Sequence, residues 1–445
     1  MATNGSILEN TAAGIPPSAH STLASCGGHL IVFRARFQFT KSARSFVLPH
    51  GMSEPSTRGA NALDKVASPA RLKIAVAIFR LTPRGGLEDN CIRIATELER
   101  RGHSVTFFVA GEVPELPTPV VRLTSAASRR TNHGRITAFA HDVLIATMGK
   151  FDRTVAFQTI PGTDVVFLAD RIRNPTGTPF WKRMTPRFRA FAKLEAECFR
   201  PGSPTRIIGL APQQMEAFAQ RYGTEPSRIR IAPATLSRAK CKPDSRNPTN
   251  RTALRSKLAM DSQSKVWLWL GLAPKTKGLD RVIEAISIVP DTHVLVGGLS
   301  LTDRNMLPML RLAKRYGVED RVHCLGYLSG ESLFQAMAAS DALAHPARAD
   351  VTGGVILEAI INGLPVVATD VCGFAHHILK SRTGGVLKNP FEVRTFARLL
   401  EDACGERNHA YSSNGIEYGN RTDLFSGIEH VSDLIEAETW PAHQT

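Results

Sequence analysis

From Leu72 onward, short apolar runs alternate with segments whose apolar residues recur every three or four positions. This alternation is typical of a parallel sheet covered by helices on both faces. The predicted strands are Leu72 to Phe79, Val105 to Val109, Val155 to Phe157, Val165 to Leu168, Ile207 to Leu210 and Ile229 to Ala232. Helices are predicted from Leu87 to Arg101 and from Gln213 to Arg221, so residues 71–236 should form one doubly wound lobe.

The alternation stops over a polar stretch with prolines, residues 237–252, which is typical of a linker between domains. It then resumes with strands predicted at Val266 to Leu270, Val294 to Val296, Arg321 to Leu325, Ala342 to His345 and Pro365 to Thr369. We therefore predict an α/β protein with two doubly wound, Rossmann-like lobes, 71–236 and 253–415, that face a central cleft. Residues 416–445 are predicted to form a helical segment that packs back on the first lobe.

Residues 1–70 are rich in Ser, Ala, Gly and Pro without a sustained period, and we interpret them as a poorly ordered extension. Leu23-Ala24-Ser25-Cys26 has the form of a lipoprotein cleavage box, but no apolar core of the length of a signal peptide precedes it. The acid-poor segment from His29 to Arg44 leaves a transit peptide open as a second interpretation.

The 445 residues are 43% hydrophobic and 21% charged, which excludes a disordered chain and a protein with several membrane spans. Apolar runs stay far below the roughly 20 residues of a membrane helix. Seven cysteines without a C-x-x-C pair favour a reducing cytoplasm over a disulfide or zinc framework. A net charge of +15 predicts an anionic partner, and nucleic acid, an acidic membrane and a phosphate-rich substrate all satisfy it.

Two predicted turns between a strand and a helix suit a phosphate group. Gly85 and Gly86 follow the first strand, where helix amides and bare backbone allow close approach, although such a pair is often purely structural. Lys275 and Lys277 follow a strand of the second lobe and could clamp a diphosphate without a metal; two solvated lysines are the alternative. Neither a G-x-G-x-x-G nor a P-loop spacing occurs in the sequence.

Asp350 and Glu358 flank a third glycine turn, Gly353-Gly354, and Glu358 lies in the helix predicted behind it. The turn offers amides to an anion, and the two carboxylates can accept hydrogen bonds from sugar hydroxyls. Acids near the start of a helix are also ordinary partners of its dipole, and this alternative stays open. The spacing makes the pair a candidate sugar site.

A basic segment without acidic residues runs from residue 171 to residue 193. Its cations are Arg171, Arg173, Lys182, Arg183, Arg187, Arg189 and Lys193, and its aromatic residues are Phe180, Trp181, Phe188 and Phe191. This composition suits an anionic membrane surface, with aromatics at the interface and cations on headgroups. Aromatics packed in a core under a solvated basic face are the alternative, and nucleic-acid binding has no accompanying motif.

The glycine turn of the first lobe, the Lys277-Gly278-Leu279-Asp280 turn and the D-x7-E element with Gly353, in this order, resemble the family-four retaining glycosyltransferases of the GT-B fold. Three further segments are similar to the enzyme class of lipopolysaccharide core glucosyltransferase I, which adds glucose from UDP-glucose to the inner-core heptose. These segments are Thr131 to Arg135, Phe157 to Val165 and Val371 to His376. The similarity covers about residues 72–437.

The resemblance implies that Lys277 contacts the donor diphosphate, Glu358 the nucleotide ribose and Asp350 the hydroxyls of the donor sugar. It also implies phosphate-facing turns at Gly85, Gly86, Gly353 and Gly354. Asp170 matches an acidic position that faces the reaction centre, and Asp164 is a less favoured participant; both also fit plain carboxylates at strand ends.

Three departures from the family pattern bear on the donor site. Asp350 stands where Glu is usual, which shortens the reach of the carboxylate toward the donor sugar by one methylene. Thr276 replaces the usual arginine before the lysine, so Lys275 would supply the second charge in another geometry. Pro233-Ala234-Thr235 stands where Pro-x-Gly is usual, so part of the hinge or donor pocket differs.

We therefore expect a hexosyltransferase, peripheral to the cytoplasmic face of the inner membrane, that moves glucose from UDP-glucose to lipopolysaccharide core heptose. No cofactor and no metal are expected, because the sequence has no D-x-D pair to bridge a diphosphate through an ion. The alternatives are a transferase with another nucleotide sugar or glycolipid acceptor and a noncatalytic nucleotide-binding module. A nucleic-acid-binding protein is a third alternative that rests on charge alone.

Overall fold

The computed structural model describes residues 71–82, 85–173 and 177–440. The extension predicted over residues 1–70 lies outside the described residues, as do residues 83–84, 174–176 and 441–445. Three residues of the basic segment are therefore outside the description.

The first lobe is built on a seven-stranded parallel sheet in the order β3-β2-β1-β4-β5-β6-β7. Its strands are β1 (Lys73–Ala77), β2 (Ser104–Val109), β3 (Val120–Arg122), β4 (Arg153–Ala156), β5 (Val165–Leu168), β6 (Arg206–Gly209) and β7 (Ile229–Ile231). Its helices are α1 (Gly86–Arg100), α2 (Asn132–Thr147), α3 (Phe180–Arg183), α4 (Pro186–Phe199) and α5 (Pro212–Tyr222).

Alternate residues of the central strand face opposite sides of this sheet, as the two-residue period of a strand requires. Ile74 and Val76 pack in one apolar cluster with residues of α1, and Ala75 and Ala77 pack in another with residues of α2, α4 and α5. Because both faces are covered, the strands read as continuous apolar runs.

The second lobe has a six-stranded parallel sheet in the order β10-β9-β8-β11-β12-β13. Its strands are β8 (Lys265–Leu270), β9 (Thr292–Gly297), β10 (Val322–Gly326), β11 (Ala342–His345), β12 (Val366–Thr369) and β13 (Gly384–Leu387). Its helices are α6 (Pro248–Lys257), α7 (Pro274–Lys277), α8 (Leu279–Ile288), α9 (Leu307–Tyr316), α10 (Glu331–Ala339), α11 (Gly354–Ile361), α12 (Ala375–Ser381), α13 (Val393–Cys404) and α14 (Asn408–Arg421).

The chain crosses between the two sheets twice. The first crossing holds two 3-10 turns, Arg238–Lys240 and Pro243–Ser245, and α6 already begins inside the predicted linker. The second follows α14, which runs through the predicted boundary at residue 416, and leads into α15 (Gly427–Glu436). On α15, Ile428, Val431 and Ile435 belong to the apolar core of the first lobe.

The predicted fold class is confirmed, and the differences concern the end of one inner strand and two strands at the sheet edges. The first predicted strand ends at Ala77, before Phe79. Two edge strands, β3 and β13, were not predicted, because β3 is short and partly exposed and β13 opens on two glycines. Among the described helices, none combines the length and the apolar character that crossing a membrane requires.

Candidate active site at the carboxyl ends of the strands

The strand order of the second lobe reverses between β8 and β11, which are hydrogen-bonded neighbours. In open α/β sheets, ligands bind in the crevice outside the carboxyl ends of the strands at such a reversal. The loop after β8 leads to Lys277, and the loop after β11 leads to Asp350. Two of the residues singled out by sequence therefore lie at the position where the topology favours a ligand.

Lys277, Asp350 and His345 form a compact charged cluster. The Lys277 Nζ lies 2.6 Å from Asp350 Oδ2, and His345 Nε2 lies 2.9 Å from the same oxygen. Burial alone raises the pKa of Asp350, but the bond from His345 and the charge of Lys277 outweigh it, so the pKa falls well below its usual range. Asp350 is therefore a carboxylate at neutral pH.

Lys277 is held at the cluster by its neighbours in the chain. Gly278 adopts the left-handed conformation, φ 77°, and a Cβ there would collide with the carbonyl oxygen of Pro346. The buried Trp269 indole nitrogen donates to the Lys277 carbonyl oxygen over 3.1 Å. The turn after β8 thus needs glycine for close packing against the turn after β11.

The Gly353 turn opens α11 beside the cluster. Gly353 has φ 75° and ψ 51°, which only glycine adopts without strain, and Gly354 is the first residue of the helix. The backbone of Asp350 forms a bridge with Cys372, and Val351 packs against the core of the first lobe. The first N–H groups of α11, which have no acceptor within the helix, therefore lie next to Asp350, at the side of the second lobe that meets the first lobe.

His345, Asp350 and Cys372 each offer a ligand atom within 4.8 Å of the other two, a spacing that a metal ion could bridge. However, Lys277 already bonds to the carboxylate of this set. Burial, together with the Asp350 charge, raises the pKa of Cys372 to about 12, so its thiol stays protonated at neutral pH. The donor set therefore fits the Lys277 ammonium better than a metal ion.

Glu358 lies in the same crevice, on α11, four residues after Gly354. Its Oε1 is 2.8 Å from Nζ of Lys240, which belongs to the first crossing between the lobes. The structure thus places Glu358 behind the Gly353 turn, and it pairs the carboxylate with a cation that no motif had indicated.

Lys275 lies apart from the cluster, although it is two residues from Lys277. Its side chain is 76% exposed, and its Nζ lies 3.4 Å from Asp280 Oδ2. Arg348 binds the same Asp280 carboxylate through two bonds of 2.7 and 2.8 Å. The structure therefore brings Lys277 to Asp350 and turns Lys275 toward a surface ion-pair network.

In the first lobe, Gly86 opens α1 and Gly85 precedes it with extended backbone, φ −113°. A side chain at Gly85 would collide with the carboxylate of Glu88, which lies over the same helix start. Gly86 has open space where a Cβ would stand. The Glu88 carboxylate therefore lies at the amino end of α1, where the sequence predicts a phosphate group.

Asp170 lines a cavity of about 320 Å³ at the carboxyl ends of the first-lobe strands, together with Phe79, Gln158, Arg173 and Glu195. Desolvation by the cavity walls raises the pKa of Asp170, and the nearby Arg173 opposes that rise. Burial likewise raises the pKa of Glu195, against hydrogen bonds from Tyr222 and the Arg173 amide. The cavity thus contains two carboxyl groups whose pKa values are raised by burial, a perturbation that is frequent at functional sites.

Asp164, the less favoured of the two candidate acids in the first lobe, has a structural role. Its Oδ2 accepts bonds of 2.7 and 2.6 Å from the amide and the hydroxyl of Thr154. These bonds tie β4 to β5 at the amino ends of the strands, away from the cavity that holds Asp170.

The basic segment divides into an exposed part and a packed part. Phe180 and Trp181 on α3 are 74% and 65% exposed, and Met184 beside them is exposed as well. Phe188 and Phe191 are half-buried, and the Arg173 guanidinium lies over the Phe191 ring at 4.3 Å. The remaining cations, Arg171, Lys182, Arg183, Arg187, Arg189 and Lys193, are exposed or half-exposed.

Sequence reasoning missed several polar residues of the crevice and the cavity, among them His345, Lys240, Gln158 and Glu195. His345 is the last residue of β11, so its position at a strand end was a usable signal. Gln158 directly follows Phe157, accepts the Phe79 amide through Oε1, and has a buried Nε2 without a partner among the described residues. Lys240 had no such signal, because it belongs to a polar crossing.

Two doubly wound parallel sheets whose polar strand ends carry the candidate site form the architecture of the GT-B glycosyltransferases. A family model described as glycosyl transferases group 1 matches residues 250–418. The lipopolysaccharide glucosyltransferase WaaG of Escherichia coli (strain K12) is 32% identical over 378 residues, which are 81% of this chain and 98% of that protein. The chain therefore belongs, with WaaG, to the group 1 glycosyltransferases, which use nucleotide sugars.

Solved structures agree with this assignment. The crystal structure of WaaG, described as involved in lipopolysaccharide biosynthesis, superposes with a TM-score of 0.74 at 31% identity, covering 81% of this chain and 99% of that one. Anabaena Alr3699/HepE in complex with UDP and glucose has a TM-score of 0.64 at 19% identity, covering 82% and 100%. At that identity, the second likeness concerns the fold alone.

Proposed function

We propose that this protein transfers glucose from UDP-glucose to the heptose of a lipopolysaccharide core, with retention of configuration at the sugar. The observation that carries the proposal is the Lys277 and Asp350 pair beside the Gly353 turn, at the strand reversal of the second lobe. WaaG is a lipopolysaccharide glucosyltransferase, and the match to this chain covers 98% of the length of WaaG, which supports the choice of sugar and acceptor.

A nucleoside diphosphate gains negative charge as its bond to the sugar breaks. Lys277 and the free amides at the start of α11 stabilise that charge most in the transition state, so they lower the barrier as well as bind the donor. Asp350 accepts hydrogen bonds from hydroxyls of the sugar, and Glu358 accepts hydrogen bonds from hydroxyls of the ribose. Since Asp350 is engaged by Lys277 and Cys372 is a thiol, protein cations and amides neutralise the diphosphate in this proposal.

The cavity around Asp170 takes the acceptor. The acceptor hydroxyl oxygen attacks the anomeric carbon on the face that the diphosphate leaves, the bond from that carbon to the diphosphate breaks, and the hydroxyl proton passes to the departing diphosphate oxygen. This route retains configuration without a covalent enzyme intermediate. Asp170 and Glu195, with raised pKa values, hold polar groups of the acceptor in place.

The acceptor is a glycolipid, and α3 provides a surface on which to meet it. Phe180, Trp181 and Met184 expose apolar area beside the cations of the basic segment. Such a surface inserts aromatic rings at the headgroup level and binds acidic lipids through its cations. We therefore place the enzyme at the cytoplasmic face of the inner membrane, as a peripheral protein that does not bind nucleic acid.

The test is release of UDP or GDP by the purified protein from a panel of UDP- and GDP-sugars, with and without lipopolysaccharide that lacks the core glucose. The panel is repeated with a chelator and with added divalent metals. Acceptor-dependent release from UDP-glucose, unchanged by the chelator, is the expected result. Release from another donor would reassign the sugar, dependence on metal would overturn the ion-free site, and no saturable UDP binding would overturn the proposal.

A further inference from the structure

The carboxylate of Glu358 is held by a residue from outside the second lobe's sheet. Lys240 ends the 3-10 turn of the first crossing, and its Nζ reaches Glu358 Oε1 over 2.8 Å. The other carboxylate oxygen, Oε2, has no hydrogen-bond partner among the described residues. One oxygen is therefore fixed, and one is available.

The backbone around Lys240 is fastened to α11 as well. The buried Asn362 donates through Nδ2 to the carbonyl oxygens of Lys240 and Glu358, each over 2.7 Å. Its Oδ1 accepts the amide of Lys242 over 2.7 Å. Because two of these bonds join the crossing to the end of α11 and the third holds the Asn362 side chain on that helix, the Lys240 ammonium has a defined approach to Glu358.

The pair lies where the two lobes meet. Glu358 is only 13% exposed at its side chain, so an unpaired charge there would be costly. Burial lowers the pKa of Lys240, but the Glu358 charge outweighs burial and the net shift is upward, with a smaller contribution from Asp89 on α1 opposed by Arg93. The same Arg93 donates to the carbonyl oxygens of Thr235 and Leu236 in the crossing.

We infer that Lys240 is a positioning residue for the donor: it fixes Oε1 of Glu358, so that Oε2 faces the ribose hydroxyls. This inference rests on the proposed function, which assigns Glu358 to the ribose. A residue in the crossing thereby contributes to donor binding without touching the donor.

A competing arrangement makes the opposite prediction. If Lys240 occupied the ribose position and had to be displaced by the donor, its removal would strengthen binding. The sign of the change in donor affinity therefore separates positioning from competition.

The experiment measures UDP binding by calorimetry, and donor KM and kcat, for the full-length wild type, Lys240→Met, Lys240→Arg, Glu358→Gln and the double variant Lys240→Met/Glu358→Gln. Lys242→Met is the matched control, because its side chain is exposed on the same crossing and its bond to Asn362 uses only the backbone. Thermal melts verify that each variant is folded.

Lys240→Met should weaken UDP binding about tenfold to a hundredfold, the usual effect of losing a hydrogen bond to a charged group, and raise KM while kcat changes little. Lys240→Arg should restore most of the affinity. The double variant should bind UDP with an affinity within about twofold of that of Glu358→Gln, because both substitutions break the same ion pair. Wild-type or tighter binding by Lys240→Met, or additive losses in the double variant, would overturn the inference alone; absence of UDP binding by the wild type would overturn the proposed function with it.

Discussion

The Lys277 ammonium and the Asp350 carboxylate lie 2.6 Å apart, each on the turn that follows one of two adjacent strands. The ion pair orients the Lys277 side chain before any ligand arrives, and His345 also binds the same carboxylate oxygen of Asp350. A diphosphate entering the crevice meets a cation whose position is already fixed, which is the condition for strong electrostatic stabilisation.

Lys277→Ala should lower kcat by about a hundredfold to a thousandfold, the range found when one group that stabilises developing charge is removed. Lys275→Ala should lower kcat by less than about threefold, because the exposed Lys275 forms only a surface ion pair with Asp280, which contributes little free energy. Steady-state kinetics with UDP-glucose and a glucose-deficient acceptor measure both. Equal losses in the two variants would contradict this division between the lysines.

Gly353→Ala should lower the free energy of unfolding of the second lobe by about 1–2 kcal/mol, because alanine is strained in the left-handed conformation. Its Cβ would also stand 2.8 Å from Ile356 Cδ1. Gly354→Ala is the control, since a Cβ there has open space. Urea unfolding followed by tryptophan fluorescence measures both variants; the buried Trp267 and Trp269 report on the second lobe, and Trp181 and Trp440 give the same background in each variant. Equal stability of the two variants would show that the turn tolerates a side chain.

Two histidines at the edge of the second sheet predict a dependence of stability on pH. His293 Nδ1 and His323 Nε2 lie 3.0 Å apart. Burial first, then the partner ring, lower the pKa of His323 to about 4. Burial also lowers the pKa of His293, helped by Arg321 and Arg255 and opposed by Asp291. Between about pH 6.5 and pH 4 the unfolded chain therefore binds more protons than the folded one, and stability should fall as the pH falls.

The test compares urea unfolding of the wild type and His323→Gln at pH 7.5 and pH 5. Glutamine can still donate to His293 but does not titrate, so the variant should lose less stability on acidification, by about 1 kcal/mol after allowance for solvent screening. His377, whose pKa is also lowered to about 4, titrates in both proteins and leaves a common background. Parallel losses in the two proteins would assign the dependence to other groups.

Phe180→Ser with Trp181→Ser should reduce binding to vesicles that contain acidic lipid by about tenfold or more, because two exposed apolar side chains no longer enter the interface. UDP binding should not change, since α3 belongs to the other lobe. The control replaces two exposed leucines of the second lobe, Leu301 and Leu379, by serine. Sedimentation with vesicles measures both variants, and similar losses in the two would point to nonspecific adsorption.

The fold was predictable wherever strands are buried on both faces. The runs at β5 and β11 match the structure at both ends, because every residue in them is buried. By contrast, β3 and β13 have few buried residues, and they form because a neighbouring strand supplies hydrogen bonds, which local sequence does not record.

The candidate site was predictable in part, for a related reason. Lys277 and Asp350 follow strands, so their convergence at a sheet edge follows from topology. The same reasoning cannot separate Lys275 from Lys277, since the direction of each side chain depends on the left-handed turn at Gly278. The pair of Lys240 and Glu358 joins residues that are 118 positions apart, and no periodicity links a polar crossing to a helix face.

The last described helix sets a limit on how the molecule can be divided. Arg101, at the end of α1, bonds to Asp433 and Glu436 of α15 over 2.6 and 3.1 Å, and α15 completes the apolar core of the first lobe. A fragment ending at residue 236 would leave that face of α1 bare, and a fragment starting at residue 237 would carry α15 without its partner. Expression of either lobe alone should therefore give an aggregation-prone product unless α15 is fused to the first lobe and deleted from the second.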